Sequence, residues 1–210
     1  MKIIEAKAEL VGELDGEKVI KHIERAGRVC YKSESRISDN SAEKFISNIL
    51  KSGHESVIEH AGATFKIICD RGVTHEIVRH RIASYSQEST RYCDYTNDEK
   101  FGGELTFIKP CFWTEGDENF ALWKDAMQKI EDTYLAMRKN GARPEEARSI
   151  LPNSLKTEIF VTMNFREWRH FLKLRTAKRA HPQMREISLQ IYKILNEKIP
   201  VLFSDINPEV

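Results

Sequence analysis

The run Arg79-His80-Arg81-Ile82-Ala83-Ser84-Tyr85-Ser86-Gln87-Glu88-Ser89-Thr90-Arg91-Tyr92 is the densest polar stretch of the 210-residue chain. Three arginines, three serines and a histidine fall within it. Consecutive cations repel one another, so Arg79, His80 and Arg81 belong together where an anion lies among them, and phosphate is the natural candidate. A helix C-terminus favours one or two cations through its dipole, but that does not explain the hydroxyl and amide groups that follow. Upstream, residues 64–69 read as a strand that leads through Asp70-Arg71-Gly72 into a short helix from about 74 to 82. Downstream, residues 94–104 are polar, contain Gly102-Gly103, and read as a surface loop and candidate lid before a short strand at 105–108.

Outward from that stretch the pattern alternates between helix and strand. Residues 2–11 alternate apolar and polar as a half-buried strand does, up to a turn at Asp15-Gly16. Val19, Ile23, Ala26 and Val29 recur at helical spacing, and a second amphipathic helix starts at Ser41, a suitable N-cap, with Gly53 as its stop. The longest helical pattern covers residues 117–139, with Phe120, Trp123, Met127, Ile130, Tyr134 and Met137 on one stripe that reads as core. Pro144 opens a brief helix that Pro152 ends. Residues 155–163 then read as a strand, Asn164 as an N-cap, 165–176 as a helix and 183–198 as a final helix. Helices thus interleave with about four strands, an α+β pattern. The glycine-rich strand-turn-helix of a dinucleotide fold is missing, so no Rossmann motif is expected.

Length and charge bound the function. A chain of 210 residues suits one compact domain spanning 1–210. Its 33 Lys plus Arg nearly balance 32 Asp plus Glu, which gives no overall field to gather nucleic acid or membrane. Anion binding must therefore be local. The opening Met1-Lys2-Ile3-Ile4-Glu5 has no secretory pattern, no run approaches membrane-spanning length, and the expected location is cytoplasmic. Cys30, Cys69, Cys93 and Cys111 are widely spaced and form no C-x-x-C pair, which suggests free thiols. His75-Glu76 with His80 and His54 with His60 miss the two-histidine spacing of a zinc helix, so no metal is expected.

The helix at 165–176 carries a second cationic surface. Phe165, Trp168, Phe171 and Leu172 form its apolar face, Arg166, Arg169, His170 and Lys173 its polar ones, and Arg175 lies near its end. Read without further context this is a solvated basic face. Its mixture of basic and aromatic residues up to Arg185 also leaves open a non-catalytic nucleotide- or RNA-binding protein.

Arg79-His80-Arg81, seven residues, then Ser89, with Arg91 two further on, resembles the signature of the flavin-dependent thymidylate synthases. The chain has Ser86 and Gln87 where other members of that family carry Asn and Glu. Residues 53–60, Gly-His-Glu-Ser-Val-Ile-Glu-His, are similar to the family's flavin-contacting stretch, and 164–175 resemble its nucleotide-binding helix. The resemblance implies a twisted antiparallel sheet flanked by helices, and a homotetramer whose active sites are shared between subunits. It also implies reductive methylation of dUMP to dTMP, with 5,10-methylenetetrahydrofolate as carbon donor and FAD, reduced by NADPH, as hydride donor.

Carried onto this chain, the resemblance makes Arg175 the catalytic residue, a guanidinium that polarises uracil without a cysteine nucleophile. It assigns dUMP to Glu76, Arg79, Gln87, Glu88, Ser89, Thr90, Arg91 and Arg148. It assigns FAD to His54, Ser56, Arg79, His80, Arg81, Gln87, Asn164, Arg166 and His170. Neither nucleic acid nor membrane is an expected partner.

Overall fold

The computed structural model describes residues 1–208. Within them the chain is a mixed α+β protein that divides into two compact units. Unit 1 comprises Met1–Lys7, Ile67–Arg79 and Ser86–Ile159. Unit 2 comprises Ala8–Lys66, His80–Tyr85 and the chain from Phe160 onward.

The first alternating stretch is two strands, β1 (Lys2–Ile4) and β2 (Lys7–Val11), where the sequence predicts one. The reason is a change of partner. β1 pairs in parallel with β5 (Thr106–Ile108), Lys2 opposite Thr106 and Ile4 opposite Ile108. β2 is the edge of a second sheet of four strands, ordered β2, β3 (Gly62–Asp70), β6 (Lys156–Asn164) and β4 (Ser84–Gln87). In that sheet Phe165 N donates to Ala61 O, Thr64 Oγ1 meets Thr162 Oγ1, and Arg71 N donates to Leu155 O. One number rises as the other falls, so β3 and β6 are antiparallel. The expectation of a single antiparallel sheet is thus corrected: among the described residues there are two sheets, and the smaller is a parallel pair.

Unit 1 is built around α5 (Glu118–Lys139). The core here gathers Tyr95, Leu105, Phe107, Met127, Tyr134, Ala147 and Leu155, from α5, β5, the brief α6 (Pro144–Ala147) and the loops. Of the predicted stripe, Phe120, Met127 and Tyr134 are buried, while Trp123, Ile130 and Met137 pack at its margin. The 94–104 loop is pinned rather than lid-like. Tyr95 is buried, the short α4 (Asp98–Phe101) sits inside the stretch, and Arg138 grips both carboxylate oxygens of Asp94.

Unit 2 packs α1 (Gly16–Val29), α2 (Ser41–Lys51), α7 (Phe165–Arg175), α8 (Pro182–Lys198) and α9 (Pro200–Phe203). Gly27 lets α1 approach α2, since a Cβ there would meet the Phe45 ring at 2.6 Å. Trp168 of α7 lies edge-on to Phe65 of β3 at 5.1 Å and donates its indole N–H to Ala63 O at 3.0 Å, so both its apolar and its polar demands are met inside the unit. Asn164 caps α7 as predicted, its side chain accepting from Glu167 N. Ser41, by contrast, is the first helical residue of α2, with Asn40 at the cap position and Ser41 Oγ donating to buried Glu24.

Candidate active site

The polar run that anchors the sequence reading is not the end of a helix. α3 covers Arg71–Ile77 and stops at Val78, short of the predicted end at 82. Its start is fixed by Asp70, whose carboxylate accepts from Val73 N. Beyond it, Arg79 N tightens onto Glu76 O and the chain turns away, so that Arg79 and Arg81 are exposed while His80 between them is only 4% exposed. The helix dipole therefore reaches Arg79, next to the Val78 cap, and does not account for His80 and Arg81.

His80 sits among residues of α7. Its ring packs on Phe171 at 4.8 Å and on His170 at 5.4 Å between centroids. Arg175 Nε donates to His80 Nε2 at 3.1 Å, and His80 Nδ1 lies 2.9 Å from Glu167 Oε1. Arginine can only donate, so Nε2 is the acceptor and the ring proton belongs on Nδ1, pointing at Glu167. His80 is thus a neutral imidazole of one tautomer. Burial lowers its pKa and Arg175 lowers it further, against the raising effect of Glu167, and the net shift is downward. Tyr85, whose hydroxyl donates to His80 O, is pushed up to about 12 by burial and by Glu167.

His80, Glu167 and His170 bring three ligand-type atoms within 4.8 Å of one another, a grouping that the spacing argument did not anticipate. The tautomer bears on its chemistry. With Nε2 occupied by Arg175, Nδ1 is a donor and has no lone pair to offer a cation.

The residues assigned to dUMP all lie in unit 1. Arg148 Nη1 donates to Thr90 Oγ1 at 3.4 Å, and Ser89 closes a turn by accepting from Arg91 N at 3.3 Å. Arg79, Arg91 and Arg148 are exposed, as hosts for an anion must be. Three members of the set are turned inward, and of these Thr90 is buried. Gln87 donates its amide to Thr74 Oγ1 and Thr157 Oγ1 at 3.1 and 3.2 Å. The Glu88 carboxylate is held by Tyr95 at 2.8 Å and Lys156 at 2.9 Å, and its amide N–H by Glu158 O. Burial pulls the Lys156 pKa down, but its contacts with Glu158 and Glu88 outweigh that and raise it. These contacts make Gln87 and Glu88 parts of the sheet's scaffold. Glu76, on the last turn of α3, is half-buried.

Apart from Arg79 and Gln87, the residues assigned to FAD lie in unit 2. His54 and Ser56 are exposed at the start of the 3-10 turn Glu55–His60, and Arg81, Arg166 and His170 are exposed cationic or ring donors. That donor set, hydroxyl plus guanidinium plus imidazole, fits the oxygen-rich diphosphate of a dinucleotide. Arg166 is paired with Glu59, and the half-buried Asn164 spends its carbonyl on the α7 cap.

The predicted cationic surface of α7 needs correcting. Arg169 is 2% exposed and bound to Asp205 and Glu55. Lys173 also faces Glu55, at 3.7 Å. Sequence reading missed Glu167 because an acidic residue three positions after an N-cap reads as part of the cap. Its carboxylate goes to His80 instead.

A family model described as "Thymidylate synthase complementing protein" matches residues 10–201. A flavin-dependent thymidylate synthase of Pyrococcus furiosus is 43% identical over 166 residues, 79% of this chain and 66% of that protein. The chain thus spans about two thirds of the length of that relative. A flavin-dependent thymidylate synthase of Geobacter sulfurreducens is 35% identical over 190 residues, 87% of this chain and 80% of that protein. Among solved structures, a UMP/dUMP methylase from Streptomyces cacaoi bound with 5-Br dUMP aligns with a TM-score of 0.77 over 97% of this chain and 96% of that one. At 23% identity this likeness speaks for the fold.

Proposed function

Because the chain belongs to the flavin-dependent thymidylate synthase family, we propose that it converts dUMP to dTMP, with methylenetetrahydrofolate supplying the carbon. Bound FAD, reduced by NADPH, supplies the hydride that completes the methyl group. The task left to the protein is to make uracil C5 nucleophilic.

Arg175 takes that task. A guanidinium facing the uracil carbonyl and N3 stabilises the N3-deprotonated ring and drives electron density toward C5. The observation that carries this reading is the bond from Arg175 Nε to a neutral, buried imidazole. It secures the guanidinium at one edge without drawing on its charge. A cysteine is not needed, and burial raises the thiol pKa of both Cys69 and Cys93, which disfavours a thiolate at either. Cys93 is the thiol nearest the Arg-His-Arg signature.

Arg79, Arg91 and Arg148 hold the nucleotide's phosphate, with Ser89 supplying a hydroxyl, buried Thr90 bracing Arg148 and Glu76 beside them. Gln87 and Glu88 act on this set through the fold, by fixing the strand that precedes it. His54, Ser56, Arg81, Arg166 and His170 hold FAD, with Arg79, Gln87, His80 and Asn164 supporting that site. The enzyme works as a homotetramer, as the resemblance implies.

An RNA-binding role is the rival reading. The pairing of Arg169 with Asp205 and Lys173 with Glu55 weighs against it, since these cations are already partly neutralised. The direct test is tritium release from C5 of labelled dUMP by protein supplied with FAD, NADPH and methylenetetrahydrofolate. Release together with dTMP supports the assignment. Flavin-loaded protein that yields neither would falsify it.

A further inference from the structure

Burying a polar pair such as His80 and Glu167 costs desolvation that an apolar pair of similar volume would avoid. His80 is 4% exposed and Glu167 7%. Both ring nitrogens of His80 are engaged within the chain, one by Glu167 and the other by Arg175. The pair is therefore directed at something, and the group at its far end is Arg175.

We propose that Glu167 and His80 are positioning residues that hold the Arg175 guanidinium in its working orientation, and do so only while His80 is neutral. This rests on the reading of Arg175 as the group that activates uracil. Glu167 accepts a hydrogen bond from Nδ1–H and so keeps the Nε2 lone pair facing Arg175. An anchored Nε fixes the plane of the guanidinium and hence the direction of its other N–H bonds. Protonated His80 would have no lone pair for Nε–H and would set a second cation 3.1 Å from the first in a buried place.

The charged and titratable groups facing the ring are Glu167, His170 and Arg175 from α7, while Tyr85 from β4 holds the His80 carbonyl. Their net effect with burial is a lowered His80 pKa, so the relay stays intact through neutral pH and fails only on the acid side of the ordinary histidine value. Function is lost as pH falls and His80 takes up its proton.

The test follows N3 ionisation of dUMP bound to FAD-loaded protein, read as a UV difference spectrum against pH. In His80→Asn the side chain can still donate to Glu167 but offers Arg175 no acceptor. In His80→Gln the amide oxygen reaches the place of Nε2 and does not titrate. The expected result is at least a tenfold loss of ionised dUMP in His80→Asn, and substantial recovery in His80→Gln with the acid limb gone. Combined with Arg175→Ala, His80→Asn should add no further loss, because it acts through Arg175. Glu167→Gln keeps an acceptor for Nδ1–H but removes the charge that raises the His80 pKa, so its acid limb should move to lower pH.

Wild-type behaviour of His80→Asn, equal losses in the Asn and Gln variants, additive losses with Arg175→Ala, or an unmoved limb in Glu167→Gln would each overturn the positioning role. Full ionisation in Arg175→Ala alone would instead remove Arg175 from the mechanism, and this role with it.

Discussion

Glu167 and Arg175 share α7, while His80 comes from a segment 87 residues before Glu167, and each looks ordinary alone. Their consequence is local and measurable. Replacing Arg175 by Ala should lower dTMP formation about 10²–10³-fold, the loss typical of removing one preorganised donor to a developing anion. Flavin absorbance should persist, because the FAD set does not include Arg175. Arg175→Lys should recover little, since an ammonium has neither the planar fork nor the Nε donor. Arg175 is singled out in the sequence through its family resemblance alone. The partners were not legible, because no spacing rule links position 80 to positions 167 and 175.

Charge at single residues also sets acid stability, with two windows. The depressed His80 pKa means the unfolded chain binds the proton more readily, so stability falls as pH drops below the ordinary value of 6.5. Asp94, held down to about 2 chiefly by Arg138, stabilises above its ordinary 3.8 and loses that contribution as pH falls toward about 2. Asp94→Asn should therefore flatten the acid limb of a melting-temperature profile in that lower window, and leave the upper one unchanged. An unaltered lower limb would show that the ion pair contributes nothing there.

At the scale of elements, periodic patterns translated well and partner-dependent features did not. α5, α7 and α8 begin and end close to where their stripes and caps predict, because amphipathic period and capping chemistry are written locally. α3 ends early because His80 is buried among α7 residues. The break between β1 and β2 is set by a change of sheet that alternation cannot reveal, since both strands share one period. The close approach of β3 and β6 rests on Gly62. A Cβ there would strike the carbonyl oxygen of Met163 and lie 3.0 Å from Cα of Asn164, the residue that caps α7. Gly62→Ala should cost about 1–3 kcal/mol, as overpacking does, read as a lower melting temperature. An unchanged melt would mean that β6 yields freely at that point.

Taken whole, the chain is nearly neutral, with a formal net charge of +1, so the proposed anion binding depends on where guanidinium groups are placed and not on a global field. None of the helices among the described residues is long and apolar enough to cross a membrane. Light scattering should give the mass of four 24.4 kDa chains, and a monomer that turns over at full rate would contradict the shared-site assembly. The mixed α+β class was legible from the interleaved periods. The division into two units was not, because each is built from three separate stretches of chain.

The most direct test of thiol-free activation compares dTMP formation by two proteins. One is a variant with Cys30→Ser, Cys69→Ala, Cys93→Ala and Cys111→Ser and with Arg175 intact. The other is Arg175→Ala with every cysteine in place. A guanidinium that primes the pyrimidine predicts turnover in the first and its collapse in the second. A cysteine-free protein that binds flavin and dUMP yet makes no dTMP, beside an Arg175→Ala protein that does, would contradict it.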